Sequence, residues 1–255
     1  MLTDAVMRDL AAFGPFFAVQ THLPGSIPRE PWHAMNELVE DPGVLMDRVA
    51  AVRWRLAAAG GQAPDGVEMR VAASITHLGL VARLVSPALA VAVTSGELLK
   101  IDDLASTQWQ RVLGGGFPLS VPQAVDTDAG GHRATPEPTP PRLACLLASR
   151  VLDGPVRDLV EATVPLSVSR QVLWGNVASA VNGAASMIAN RQPAWANRSS
   201  VIASLLLDQG PLRGTSVASA AGGFRRRSCC LIYRAAPNVA RAVCGDCVLS
   251  SDPSS

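Results

Sequence analysis

Apolar residues recur at helical spacing through most of the chain, and that repeat predicts a mainly α protein. Val6, Leu10, Phe13 and Phe17 form one stripe, with Thr3 as its N-cap and Gly14-Pro15 as a kink or stop. Leu45, Val49, Val52 and Leu56 form a second, entered through Asp41-Pro42 and ended by Gly60-Gly61. Val71, Ile75, Leu78, Val81 and Val85 form a third, after which Ser86-Pro87 is expected to open a separate short helix through Val93. The longest helix is predicted from about Leu166 to Ile188 on Leu173, Val177, Val181 and Ala184. Gly175, Ser179, Gly183 and Ala184 would let another helix approach it closely.

Strand signals are few. Leu98–Ile101 and Pro118–Pro122 are expected to pair as a minor β-hairpin across Gly114-Gly115-Gly116, with prolines confining the second strand to an edge. Residues 121–142, rich in Pro and Gly, read as a flexible loop, and Asp208–Thr215 as a second irregular stretch. The expected organisation is a mainly helical body over residues 1–222 and a small Cys-rich C-terminal module over residues 223–249.

Composition narrows the function. The 255 residues are 48% hydrophobic with a formal charge of +1, which suits a folded protein and excludes a general polyanion partner. No nucleic acid is therefore expected. Lys100 is the sole lysine, and neither a GxGxxG nor a Walker pattern offers a nucleotide site. Asp4, Arg8 and Asp9 interrupt the N-terminal apolar pattern, so no signal peptide is read there. The best charge-free stretch, Gln171–Asn190, carries too many amides for a lone membrane span. A cytoplasmic location is expected, where thiols stay reduced and act as ligands rather than disulfides.

Four of the five cysteines, Cys229, Cys230, Cys244 and Cys247, fall within nineteen residues in the spacing CC-x13-C-x2-C. Four thiolates hold zinc or an iron–sulfur cluster. A structural zinc usually takes two CxxC knuckles. Cys244-Gly-Asp-Cys247 is one, whereas adjacent Cys229 and Cys230 diverge and close poorly around a single ion. A [2Fe-2S] cluster offers two irons that each need two thiolates, and a [4Fe-4S] cluster also takes four. Arg225, Arg226, Arg227, Arg234 and Arg241 against Asp246 make the segment formally +4. Such cations raise the potential of a negative cluster, and they also offer bidentate contact to an anionic substrate. A solvated basic face is the plainer alternative.

The remaining candidates read as structural. Cys145, in the apolar run Leu143–Arg150, is expected to be a core thiol. His22, His33, His77 and His132 lack metal-ligand spacing. Trp174 is expected in the core, with a substrate-facing pocket wall as the alternative. Tyr233 is expected to pack against the cysteine module.

The run Phe224-RRRSCCLIYR, followed by Cys244-GDC-Val248, resembles the C-terminal module of the FhuF-like ferric-siderophore reductase family. Weaker similarity extends to His77-LGLVARLVSPALAVA, Trp174-GNVASA and Leu207-DQGPLRG-Thr215. The resemblance implies a [2Fe-2S] cluster on Cys229, Cys230, Cys244 and Cys247, and no catalytic residue beyond the cluster. It implies reduction of iron(III) in imported siderophore complexes, releasing iron(II) in the cytosol. The implied partners are the ferric siderophore and a separate electron donor, such as a reduced ferredoxin or a flavin reductase, with at most transient contact with the inner membrane face. Candidate substrate contacts are Arg225, Arg226, Arg227, Arg234 and Trp174. The thirteen residues between the cysteine pairs exceed the spacing of better-known members. The excess falls around Ala236-Pro237-Asn238, where a loop absorbs it cheaply because closure entropy grows only logarithmically. The alternatives are a cluster- or zinc-bearing binding or sensor module without reductase activity, and an electron-transfer protein.

Overall fold

The computed structural model describes residues 4–114, 116–123, 138–218, 223–235 and 243–249. Thr3, His132, Arg241, the loop around Ala236-Pro237-Asn238 and most of the 121–142 loop lie outside these described residues. The chain opens with α1 (Asp4–Ala12), which ends before Gly14 at a φ of +129°. Short strands β1 (Gln20–His22) and β2 (His33–Ala34) and a one-turn helix α2 (Glu37–Glu40) lead into α3 (Pro42–Ala59). The start of α3 follows its sequence. The Asp41 carboxylate accepts the Gly43 N–H at 2.8 Å, and Pro42 occupies the first turn, where its missing N–H costs nothing.

The central element is α4 (Met69–Ser95), 27 residues long and buried along most of its length. It is one helix, not two: Pro87 lies inside it instead of opening a new one. An internal proline costs about 3 kcal/mol. The neighbouring Leu84, Val85, Ala88 and Leu89 are all buried, and each large aliphatic contributes roughly 1.5–3 kcal/mol, so packing outweighs the break. By length and composition α4 is the one helix among the described residues that could cross a membrane, yet 72% of its most apolar window is buried inside the protein.

Beyond α4 come β3 (Gln108–Trp109) and β4 (Leu119–Pro122). Among the described residues four strands form a sheet in the order β1-β4-β3-β2. The β4 strand is central, parallel to β1 and antiparallel to β3, and Leu98–Ile101 forms no strand. The expected hairpin partner was therefore wrong, as was the edge position. Pro122 closes the ladder, and the next N–H, from Gln123, still reaches the His22 carbonyl at 2.9 Å. Arg83 of α4 ties this sheet to the helices, donating to the carbonyls of Phe117 at 2.8 Å, Phe16 at 2.9 Å and Ala18.

The second half is helical: α5 (Pro140–Leu147), a π-helical stretch over Ala148–Val156 kinked at Gly154, α6 (Arg157–Thr163), α7 (Arg170–Arg191) and α8 (Ala196–Leu207). Cys145 is exposed, contrary to the core position expected. Leu143, Ala144 and Leu147 take the inward face of α5, and Cys145 falls between them on the outer one. Ser169 caps α7 by accepting the Val172 N–H at 3.3 Å. The α7 helix packs along α4, with Leu173, Val177, Val181 and Ile188 in the shared core. An antiparallel hairpin of β5 (Ser216–Ala218) and β6 (Phe224–Arg226) then carries the chain onto the α4–α7 pair. The boundary read between residues 222 and 223 falls within this hairpin.

Candidate metal centre

Backbone contacts deliver the first cysteine pair to the start of α7. The Arg226 N–H donates to the Asp246 carbonyl at 3.1 Å, the Arg227 N–H to the Thr215 carbonyl at 2.8 Å, and the Ser228 hydroxyl to the Gln171 carbonyl at 3.1 Å. The Cys230 carbonyl accepts the Ser74 hydroxyl of α4 at 2.9 Å. Leu231 then adopts a left-handed conformation, φ +71°, which a non-glycine residue takes only when its surroundings force it. Its N–H donates to Cys229 Sγ at 3.3 Å. The following turn, Ile232–Ala235, packs on Ala57, Val67 and Val71, with Gln62 donating to the Ala235 carbonyl at 2.6 Å. Arg234 is engaged with Glu68 at 2.6 Å. The second pair forms its own turn: the Cys247 N–H donates to the Cys244 carbonyl at 3.1 Å, and the Leu249 N–H to Cys247 Sγ at 3.3 Å.

The four thiols share one electrostatic environment. The Cys244 thiol meets the Cys230 sulfur across the two pairs; this contact favours the Cys230 thiolate and pushes Cys244 up. Burial raises Cys229, opposed by the Leu231 N–H, and both Cys230 and Cys247 bear on it. Among the described residues no three His, Cys, Asp or Glu side chains gather as a ready site for a single ion. The arrangement is pairwise. Amide N–H groups aimed at two of the sulfurs are the kind of donor that stabilises an electron-rich thiolate centre.

Beneath the thiols lies Arg226, only 1% exposed. Its Nη2 donates to Asn176 Oδ1 at 2.7 Å and to the Val172 carbonyl at 3.2 Å, while its Nε is buried without a partner among the described residues. Asn176 in turn donates to the Ser74 carbonyl at 2.9 Å and to its hydroxyl at 3.2 Å. A continuous polar path thus runs from Arg226 through Asn176 and Ser74 to Cys230. The Arg226 charge favours the thiolate at Cys229, Cys230 and Cys244. Arg226 is hydrogen-bonded to neutral acceptors, and although its charge also acts on the Asp246 carboxylate, a buried cation gains from further anions. Four thiolates around iron carry such a charge, so the residues present fit an iron–sulfur centre.

Gly175 is what lets the module sit so close. A Cβ there would stand 2.2 Å from Ser228 Oγ and 3.0 Å from Arg226 Nη2. Gly175→Ala is accordingly expected to destabilise the protein by about 1–3 kcal/mol despite its better helix propensity. Thermal melts check this, and an unchanged or raised melting temperature would contradict the close approach.

The remaining candidates divide. Arg225 is half-buried on β6 and Arg227 is exposed, whereas Arg226 and Trp174 are buried, the latter under the Arg157 guanidinium at 5.7 Å. Burial withdraws Arg226 and Trp174 from direct contact with a dissolved substrate. Tyr233, expected to pack inward, stands at the surface. Sequence reasoning missed the site roles of Ser74, Gly175, Asn176, Leu231 and Glu68, having read Gly175 only as a place where another helix could approach. The small polar run in Trp174-GNVASA was the available signal for two of them.

His77 is fully buried one turn beyond Ser74, and neither ring nitrogen has a partner among the described residues. Burial first, and the Arg226 charge second, push its pKa down to about 3. Between pH 6.5 and that value the unfolded chain binds a proton that the folded one refuses. The neutral ring therefore contributes full stability above 6.5, and about 1.4 kcal/mol is lost per unit as pH falls. His77→Leu should remove about 2 kcal/mol of the loss otherwise seen between pH 7 and pH 5. Anaerobic melts at both pH values test this; equal acid sensitivity in the two proteins would contradict it.

Fold and site together define a helical protein with a cysteine-rich module docked on two core helices. Residues 226–249 match the family of the FhuF 2Fe-2S C-terminal domain, which bears out the resemblance read from the sequence. No curated protein matches the chain.

Proposed function

We propose that Cys229, Cys230, Cys244 and Cys247 bind a [2Fe-2S] cluster, and that the protein uses it to reduce iron(III) in imported siderophore complexes within the cytoplasm. In this reading residues 223–249 are the redox module and residues 1–222 the body that carries it. The observation that carries the reading is the match over residues 226–249 falling on four thiols, three of which feel the charge of one buried arginine. Two cysteine pairs suit two irons, each taking two thiolates, better than one tetrahedral ion, because adjacent Cys229 and Cys230 diverge.

When bound, the cluster supplies single electrons. The chain's own residues hold it, donate N–H groups to its sulfurs and place a cation behind it. Hard oxygen donors bind iron(III) tightly and iron(II) far more weakly, so one electron is enough to loosen the metal from its chelator. Exposed Arg227 is the contact best placed for an anionic chelate, with half-buried Arg225 beside it in sequence. A reduced ferredoxin or flavin reductase would resupply the electron, and contact with the inner membrane face would be transient at most.

The test is to mix the dithionite-reduced, desalted protein anaerobically with a ferric siderophore and a ferrous trap. Bleaching should reverse as the trap colours, with about one iron(II) per chain, set by the single electron a [2Fe-2S] cluster gives. Failure to reoxidise over hours would overturn the assignment.

A further inference from the structure

A cavity of about 380 Å³ opens between α3 and α4, under the loop at Leu113-Gly114. Val52, Leu78 and Ala82 give it apolar walls, and two arginines, Arg48 and Arg55, enter it. No acidic residue lines it among the described residues. Arg48 is 8% exposed, with its guanidinium 4.9 Å from the Trp109 ring centre and 4.7 Å from that of Phe117. Its hydrogen bond goes to a neutral acceptor, the Val112 carbonyl, at 3.3 Å, and burial pulls its pKa down to about 10.

Arg83 lies 5.7 Å from the same Phe117 ring and is likewise bonded to carbonyls rather than to an acid. Arg55, at the exposed rim, makes no hydrogen bond or ion pair among the described residues. Two cations, Arg48 and Arg55, thus line an apolar space with no counter-charge among the described residues, and Arg83 adds a third on the other side of Phe117. Burying a cation uncompensated is costly, and low-dielectric walls strengthen its pull on an anion. The volume lies in the range of small-molecule sites.

We propose that this cavity binds a small organic anion, an apolar body bearing one carboxylate, sulfonate or phenolate head held between Arg48 and Arg55. Binding does not depend on the redox reading. It would nonetheless report to the cysteine module, since Ile75 in the cavity wall follows Ser74, whose hydroxyl holds the Cys230 carbonyl.

The probes are 1-anilino-8-naphthalenesulfonate and its uncharged parent, N-phenyl-1-naphthylamine, titrated by fluorescence into the whole holoprotein. One sulfonate should bind per chain, roughly tenfold more tightly than the neutral parent. Arg55→Gln should erase that difference while leaving the neutral probe unchanged. Gly79→Leu should abolish binding of both, because a Cβ at Gly79 has open space around it and the rest of a leucine side chain would then occupy the cavity. Equal affinity for the two probes, no saturable binding, or sulfonate affinity unaltered by either substitution would overturn the proposal.

Discussion

Cys230→Ser or Cys244→Ser should leave the purified protein with at least tenfold less iron, whereas Cys145→Ala keeps its full complement. The first two sulfurs touch each other across the module, and Cys145 is an exposed thiol on α5. Serine replaces a soft, easily ionised thiolate with a hard alcohol that stays protonated near neutral pH, so a corner of the centre is lost. Changes outside the ligand shell already cost 10–100-fold in metal affinity, and loss of a ligand should exceed them. Iron and acid-labile sulfide on anaerobically purified variants decide the matter. Equal depletion in all three would remove the ligand set, and full iron in Cys230→Ser would remove Cys230 from it.

Arg226→Gln should lower the reduction potential of the centre by about 100 mV. Reduction adds a negative charge beside a buried cation, and a unit charge about 7 Å away at an effective dielectric of 20 contributes on the order of 2 kcal/mol. Tenfold in a one-electron equilibrium is about 59 mV, which converts that energy to the stated shift. Arg227→Gln should move the potential far less, because Arg227 is exposed and screened by salt. Asn176→Ala should fall between them, since it removes the acceptor that holds Arg226 but keeps the charge. Spectroelectrochemical titration of the three variants separates the cases. Equal shifts at Arg226 and Arg227 would mean that only overall charge matters, and no shift at Arg226 would end its role as counter-charge.

Much of this protein is legible without coordinates, and the reasons are physical. The Asp41-Pro42 entry and the Gly60 exit of α3 act within a single turn, so local chemistry decides them. The long α7 stripe survives because its inner face is apolar at every turn. Failure came where long-range packing overrides a local rule. Pro87 reads as a break, yet the burial around it keeps α4 whole. The Pro118–Pro122 segment reads as an edge strand, yet β1, about a hundred residues earlier, pairs with it and makes it central. Cys145 depends on the orientation of a single short helix, which composition does not fix.

The site shows the same division. The four cysteines are visible because their spacing is local. The residues that seat them are not, because Ser74, Asn176 and Glu68 lie far away in sequence and carry no motif of their own. Leu231 is the plainest case: a left-handed turn is anticipated at glycine, and nothing in Cys229-Cys230-Leu231 announces one. Arg226 was singled out for its charge, but only the fold shows that it is the buried member of the arginine run.

The account stands or falls on the metal centre, and the direct measurement is the visible and EPR spectrum of anaerobically isolated protein, with its iron, sulfide and zinc content. A [2Fe-2S] centre predicts reddish-brown protein with two irons and two sulfides per chain, and a spin-one-half signal after one-electron reduction. Colourless protein holding a single zinc and no inorganic sulfide would contradict it.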